Sequence, residues 1–316
     1  MTGIRALETE SVQAQKLARR VSLTQWTSWV LCLIALTSLA ALVLVLIHES
    51  WPVWRVAGID YLAGKQWLSS RHLFGAAPMI YGTMAVAIIA LGCAAPIGIG
   101  AAICTSELLP RRARLTVKIL VELLAGVPSV VYGLLGVLVL RGWVYDLLEP
   151  LDPLSGDTLL TGGLLVGVMI LPTILTLSDD ALRGVPASLR AAARGLGLNA
   201  RETICRVVLP QAIPGIIAAI LLALGRALGE MIAVFLVVGR QDNQWPERLW
   251  SVTPLISPGQ TLASKLGGSE IHIAHGDPLH WAAMVGLGLL LLGMAGGAAA
   301  AAFLLQQKQL RHAQAS

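Results

Sequence analysis

The sequence predicts an all-α polytopic membrane protein with six transmembrane helices. Three observations carry that prediction. Hydrophobic residues make up 56% of the chain and charged residues only 13%, a balance foreign to ordinary soluble domains. Six apolar runs have the length a helix needs to cross about 30 Å of hydrocarbon. Lysine and arginine are also shared unequally between the two sets of connecting segments.

The first run, residues 26–47, lies behind about 25 mixed residues and exceeds the apolar stretch of a secretion signal, so it reads as a retained anchor. The others are 79–104, 118–140, 158–178, 213–239 and 281–305. Lysines and arginines alone set orientation. Fifteen lie before the first run, between the second and third, between the fourth and fifth, and after the sixth; seven lie in the other connections, and Arg226 lies within a run. Both termini are therefore expected in the cytoplasm, and the long connections at 48–78 and 240–280 outside. The chain divides into a cytoplasmic segment 1–25, a first helix with its outer loop 26–78, a core 79–305 with a cytoplasmic loop at 179–211, and a tail 306–316, together one domain.

The net charge of +5 follows from that asymmetry and gives no reason to expect nucleic-acid binding. Cys32, Cys93, Cys104 and Cys205 show no CxxC spacing, so neither disulfides nor a metal site is expected and they read as reduced packing residues. Trp26, Trp29, Trp51, Trp54, Trp143, Tyr145 and Trp281 sit near the ends of runs as interfacial anchors. Gly98-Ile99-Gly100 and Gly286-Leu287-Gly288 suit close helix packing in lipid.

The loop at 179–211 is basic and helical in pattern. Pro186 is a breaker, Ser188 stands as N-cap before the run 189–194, Gly195 and Gly197 interrupt it, Asn199 opens a second short helix, and Leu209-Pro210 marks a boundary before the fifth span. On composition alone this is a basic amphipathic segment held to anionic lipid. Its spacing says more. Ala192-Ala193, Gly197 and Val207-x-Leu209-Pro210 resemble the "EAA" loop of ABC importer permeases: Glu-Ala-Ala, three residues, Gly, nine residues, an aliphatic, any residue, Leu-Pro. Ala191 stands where that family usually has Glu. The resemblance implies an ATPase-coupling loop formed by Ser188, Arg190, Ala191, Ala192, Ala193, Gly197, Val207, Leu209 and Pro210, seated in a cleft of an ATP-hydrolysing subunit. The chain has no GxxxxGK[ST] loop, so ATP and Mg would be bound by a partner and no cofactor by this chain.

Charge inside the apolar runs is costly and marks an interior or an aqueous path. Arg226 and Glu230 lie four apart on one predicted helical face, and Glu122 begins the third run. Arg226 would lend positive charge to an anion's path and Glu230 would hold it; a helix-orienting salt bridge is the alternative. Gly126-Val127-Pro128-Ser129-Val130-Val131-Tyr132-Gly133 puts a breaker, a hydroxyl and a phenol into one run. That suits a cavity-lining stretch or a kinked packing helix. A membrane-embedded enzyme is disfavoured: His48, His72, His272, His275, His280 and His312 fall outside the runs, with no HExxH pairing.

FGAAPMIYGT at 74–83, SELLP at 106–110, ELLAGVPSVVYG at 122–133 and LGRALGE at 224–230 are similar to the C-type permease family (PstC) of phosphate-specific ABC transporters. Met231-Ile232 departs from the family's usual Thr-Met. The resemblance implies a type I ABC importer permease fold in a bacterial inner membrane and a path for inorganic phosphate past Arg226, Glu230, Glu122, Ser129 and Tyr132. It also implies a sister permease (PstA-like), an ATPase pair (PstB-like) and an extracytoplasmic phosphate-binding protein (PstS-like). A permease for sulfate or molybdate, and a non-transporting phosphate sensor, remain open on the same residues.

Overall fold

The computed structural model describes residues 2–151, 153–246 and 253–315, with side chains from 25 to 305 and at 307 within those segments. Of the basic residues used to set orientation, Arg5, Lys16, Arg19, Arg20, Arg248, Lys308 and Arg311 lie outside the described side chains. The chain divides into two units, Met1–Glu49 and Ser50–Ser316. Among the described residues, six helices are long and apolar enough to cross a membrane: Gln25–Ala57, Ala77–Leu108, Ser129–Leu151, Leu159–Arg183, Ala200–Leu228 and Pro278–Leu305.

The first unit is helical and belongs to α1 (Thr2–Ala57). Two hydroxyls within its described apolar stretch are returned to the helix backbone, as lipid requires. Thr37 Oγ1 donates to the Leu33 and Ile34 carbonyls and Ser38 Oγ to that of Ala35.

The second unit runs through α2 (Asp60–Ala63), a short hairpin of β1 (Trp67–Leu68) and β2 (Leu73–Phe74) with Trp67 opposite Phe74, and α3 (Ala77–Ile103), which continues as a π turn, Cys104–Leu108. Next come α4 (Arg111–Ala125), α5 (Ser129–Leu135), a π turn at Gly136–Leu140, α6 (Arg141–Leu148) and α7 (Leu159–Arg183). The remainder is α8 (Ala187–Gly195), α9 (Ala200–Thr203), a π turn at Ile204–Val208, α10 (Leu209–Leu228), α11 (Ile232–Val237), α12 (Leu262–Leu266), α13 (Glu270–Ala274) and α14 (Pro278–Ala315).

Helices α3 and α7 form the centre of this unit. Lipid supplies no hydrophobic drive for helices to associate, so small residues that permit close approach set the contact. A side chain at Gly98 would meet Ile174 Cγ2 at 2.9 Å, and one at Gly163 would meet Ile89 Cβ at 2.6 Å. Around them Val86, Ala90, Tyr132, Leu165, Val166, Ile170, Ala223, Val234 and Val237 close the main core. A second core joins Tyr61, Trp67, Phe74, Met79, Leu262, Met284 and Leu287, and a third joins Ala102, Leu182, Val185, Val208, Ala212 and Ile216.

Three sequence expectations need correction. The third span is Ser129–Leu151 rather than 118–140, because Gly126 and Pro128 end α4: proline cannot donate to the ladder and disfavours helical backbone in the residue before it. The fifth span begins at Ala200 and stops at Leu228, so Leu209-Pro210 is no boundary. The π turn at Ile204–Val208 absorbs Pro210: the Leu209 N–H bonds the Ile204 carbonyl, and the wider turn accommodates a ring that would otherwise press on the ladder. Finally, Cys32, Cys93, Cys104 and Cys205 are free thiols at exposed positions, not core packing residues.

Candidate functional site

Three parts of the second unit carry polar chemistry: the connection between α7 and α10, the helix breaks beside Ser129 and Glu230, and a charged cluster around α12 and α13.

In the α7–α10 connection, Pro186, not Ser188, is the N-cap of α8; its backbone (φ −53°, ψ 138°) leads straight into Ala187. Ser188 is the second helical residue, exposed and without a capping role. Proline's fixed φ positions the chain to start a helix at the next residue, which takes the place a serine cap would have filled. Ala191 and Ala192 face outward while Ala193 is buried. Gly197, at φ +80°, turns the chain: its N–H bonds the Arg194 carbonyl and that of Leu198 bonds Ala193, a Schellman closure that requires a left-handed residue. Asn199 then caps α9 as expected, and Glu202 returns the bond to complete a capping box. Val207 lies in the π turn, and Leu209 and Pro210 open α10. Arg190 of this segment is hydrogen-bonded far along the chain, to Glu107 in the π turn that ends α3.

The second part is a pair of breaks. The contacts of Gly133 with Ala233 and of Gly136 with Val237 follow the same order, so α5 and α11 run parallel and their first turns share one level. Ser129 opens α5 and Glu230 precedes α11; both are half-buried. Arg226 and Glu230 do not lie on one helix, because α10 ends at Leu228 and Gly229 caps it. Among the described residues they form no ion pair. Arg226 Nη1 donates to Thr173 Oγ1 on α7 at 3.2 Å, and Glu230 Oε1 accepts from the Ala233 N–H at 3.4 Å. Arg226 is exposed in the last turn of α10, where a cation complements the helix dipole. Glu122 is exposed on α4, outside the third span, and joins neither residue. Tyr132 is buried with its hydroxyl donating to the Leu124 carbonyl at 2.9 Å, which also accepts from the Val127 N–H at 3.2 Å where α4 ends.

A family model described as "Binding-protein-dependent transport system inner membrane component" matches residues 94–262, which contain both breaks and the whole α7–α10 connection. The chain belongs to this family. Curated relatives include "Phosphate transport system permease protein PstC" of Mesorhizobium japonicum, 34% identical over 275 residues (82% of this chain, 81% of the relative). The protein of the same name from Pasteurella multocida is 34% identical over 269 residues (80% and 81%). A "Probable ABC transporter permease protein YqgH" of Bacillus subtilis is 37% identical over 193 residues (60% and 62%). Among solved structures, a chain from the inward-facing MetNI methionine ABC transporter aligns with a TM-score of 0.50 at 16% identity, covering 74% of this chain and 93% of that one. That likeness speaks to the fold. With its six apolar helices, this inner membrane component is a multi-pass membrane protein.

Two features of the family member escaped sequence reasoning. The bond from Arg190 to Glu107 spans 83 residues; the SELLP motif marked Glu107 without naming its partner. The third part of the site, centred on Lys265, falls in the connection 240–280, where nothing local in the sequence distinguishes it from an outer loop. Lys265 is 1% exposed, its Nζ 2.9 and 2.8 Å from the Asp242 oxygens and paired with Glu270. Glu270 Oε1 also accepts from Trp67 Nε1 at 2.6 Å and lies 2.9 Å from His280 Nε2. Burial pushes the Glu270 carboxyl upward, but the Lys265, Trp67 and His280 contacts outweigh it and hold the group below its ordinary value. His275 stacks on Trp281 at 4.2 Å.

Tyr132 therefore works as a clasp across the break between α4 and α5. Tyr132→Phe keeps the ring and removes one of the two bonds to the Leu124 carbonyl, leaving that from the Val127 N–H, at an expected cost of about 0.5–1.5 kcal/mol. Denaturant unfolding of the detergent-solubilised protein reads this directly; a variant as stable as wild type would show that the phenol is not a clasp.

Proposed function

We propose that this chain is a permease subunit of an ATP-driven importer of inorganic phosphate and lines its transmembrane path together with a sister permease. The names of the relatives supply the substrate. The observation that carries the role of this chain is the placement of Arg226: an exposed guanidinium at the end of α10, next to the level where α5 and α11 both begin. A helix start offers unpaired N–H groups and positive potential, and discontinuous helices in membranes bring such ends to a substrate. Glu230, held at the start of α11, limits the positive charge so that an anion passes without being trapped. Ser129 adds a hydroxyl at the opposing start.

In this reading the termini and α8 face the cytoplasm, and ATP and Mg are bound by a partner ATPase pair (PstB-like). A PstA-like subunit supplies the other half of the path, and a PstS-like phosphate-binding protein docks outside. ATP binding and hydrolysis displace α8 and switch the path between inward and outward access.

The test is uptake of radiolabelled phosphate into proteoliposomes holding the full complex, wild type against Arg226→Ala. A contact between an ionised group and the anion contributes about 1.5–3 kcal/mol, so uptake is expected to fall roughly ten- to a hundredfold with assembly intact. A wild-type complex that hydrolyses ATP yet moves sulfate or molybdate instead would overturn the substrate and leave the permease role standing.

A further inference from the structure

Arg190 lies in the segment that the proposed function assigns to the ATPase, yet its guanidinium points back into the chain. Nη1 meets both oxygens of Glu107 at 2.7 Å, and Nη2 donates to the Leu182 carbonyl at 2.7 Å. One side chain thus grips two different elements, the π turn ending α3 and the last turn of α7. Its surroundings are braced as well. Thr105 Oγ1 donates to Asp179 Oδ1 at 3.0 Å, Arg183 pairs with Asp179 Oδ2 at 2.8 Å, and Arg114 donates from Nε and Nη2 to the Thr105 and Ser106 carbonyls. The side chains of Arg190 and Glu107 are 20% and 10% exposed. Shielded and charge-assisted, such a pair holds its geometry far better than an ion pair in open water.

We propose that the Arg190–Glu107 pair is the joint through which displacement of α8 passes into α3 and α7. The proposal rests on the reading of α8 as the surface an ATPase moves. Ala191 carries no charge, so the ionic hold at this point of α8 falls to its neighbour. Along α7 the route is short. Leu182 and Thr173 are nine residues apart, about 13 Å of helix at 1.5 Å per residue, and Thr173 Oγ1 is the acceptor for Arg226. Pro172 lies directly beyond Thr173 and removes one rung of the ladder, so the stretch 173–183 can move as a unit against the rest of α7. Arg190 and Glu107 are positioning residues; neither touches the transported ion.

The experiment measures phosphate delivered per ATP hydrolysed by the assembled complex in proteoliposomes. Glu107→Ala is expected to keep ATP hydrolysis within about twofold, and both Glu107→Ala and Arg190→Ala to lower the ratio about tenfold. The exchanged pair Arg190→Glu with Glu107→Arg is expected to recover at least half of it, as coupled residues do in a double-mutant cycle. A purely structural role would reduce assembly, hydrolysis and uptake in parallel and leave the ratio unchanged, which overturns the proposal; so does an exchanged pair no better than the single variants. Should the alanine variants fail to assemble, Arg190→Cys with Glu107→Cys, in a chain whose four native cysteines are replaced by serine, is bridged by a short bismaleimide. A joint that moves as one body keeps the wild-type ratio when bridged, whereas loss of transport on bridging overturns it. If the wild-type complex moves a different oxyanion, the phosphate reading fails and the joint is scored on that ion.

Discussion

Lys265→Ala is expected to destabilise the second unit by about 3 kcal/mol, the low end of the cost of breaking a buried ion pair. Its ammonium sits between Asp242 and Glu270 and 5.2 Å over the Trp67 ring, in a side chain 1% exposed. Truncation strands Glu270 among Trp67, Phe74 and His280 with its principal counter-charge gone. Because Asp242 and Glu270 are 38% and 22% exposed, water recovers part of the loss, which is why the low end applies. Denaturant unfolding measures the cost, and adding Glu270→Gln to Lys265→Ala should be markedly less than additive. The pH dependence has a definite sign. Glu270 is depressed from its ordinary value of 4.5, so the unfolded chain binds its proton first; the stabilisation is present above about pH 4.5 and is lost as the pH falls below it. A wild-type stability flat from pH 6 to pH 3.5 would contradict this assignment.

Gly82→Ala is expected to cost as much or more, roughly 3 kcal/mol, the upper end for an added methyl in a packed site. A Cβ there would lie 2.1 Å from the Gln260 carbonyl oxygen and 3.0 Å from its carbon. Both are backbone atoms, so no rotamer change relieves the clash. The neighbouring residue raises the penalty: Thr83 Oγ1 accepts from the Leu262 N–H at 2.9 Å and donates to the Met79 carbonyl at 2.7 Å, tying the start of α12 to α3. Pushing the two apart breaks that tie. Limited proteolysis of the connection preceding α12 should accelerate along with the fall in stability. Gly92→Ala on the same helix is the control, since nothing lies within 4 Å of its Cβ position; it should be neutral or slightly stabilising. Equal behaviour of the two variants would show that the approach of Gln260 does not constrain the fold.

How much of this was legible in the sequence depended on how local the physics was. Hydropathy located the six apolar helices because burial in lipid is a property of a window of residues. Pro128 is legible as a breaker since proline acts on its own backbone, but the apolar run 118–140 carries through it, so hydropathy alone misplaces the span; the cap at Asn199 is legible because its partner is three residues away. Ser188 misled: serine favours caps, but Pro186, two residues earlier, had already started the helix. The break at Gly229 was hidden, because Arg226 and Glu230 keep helical spacing while a lone glycine inside a helical pattern is only weakly disfavoured. The pairs Arg190–Glu107 and Trp67–Glu270 join residues 83 and 203 apart and leave no local signature.

The π turn at Ile204–Val208 does more than accommodate Pro210. From the end of the π turn along α10, a buried stripe at Val208, Ala212, Ile216, Ala219, Ala223 and Ala227, flanked by Ala218 and Leu228, recurs at steps of three or four, yet the step from Thr203 to Val208 is five. One surplus residue advances the helix by about 100°. The turn is thus a phase shifter: the stretch before it and the stretch after it keep separate angular registers along a single continuous helix, each free to present its own stripe to its own neighbours. A hydrophobic pattern followed through it at uniform pitch would rotate one half onto the wrong side of the molecule.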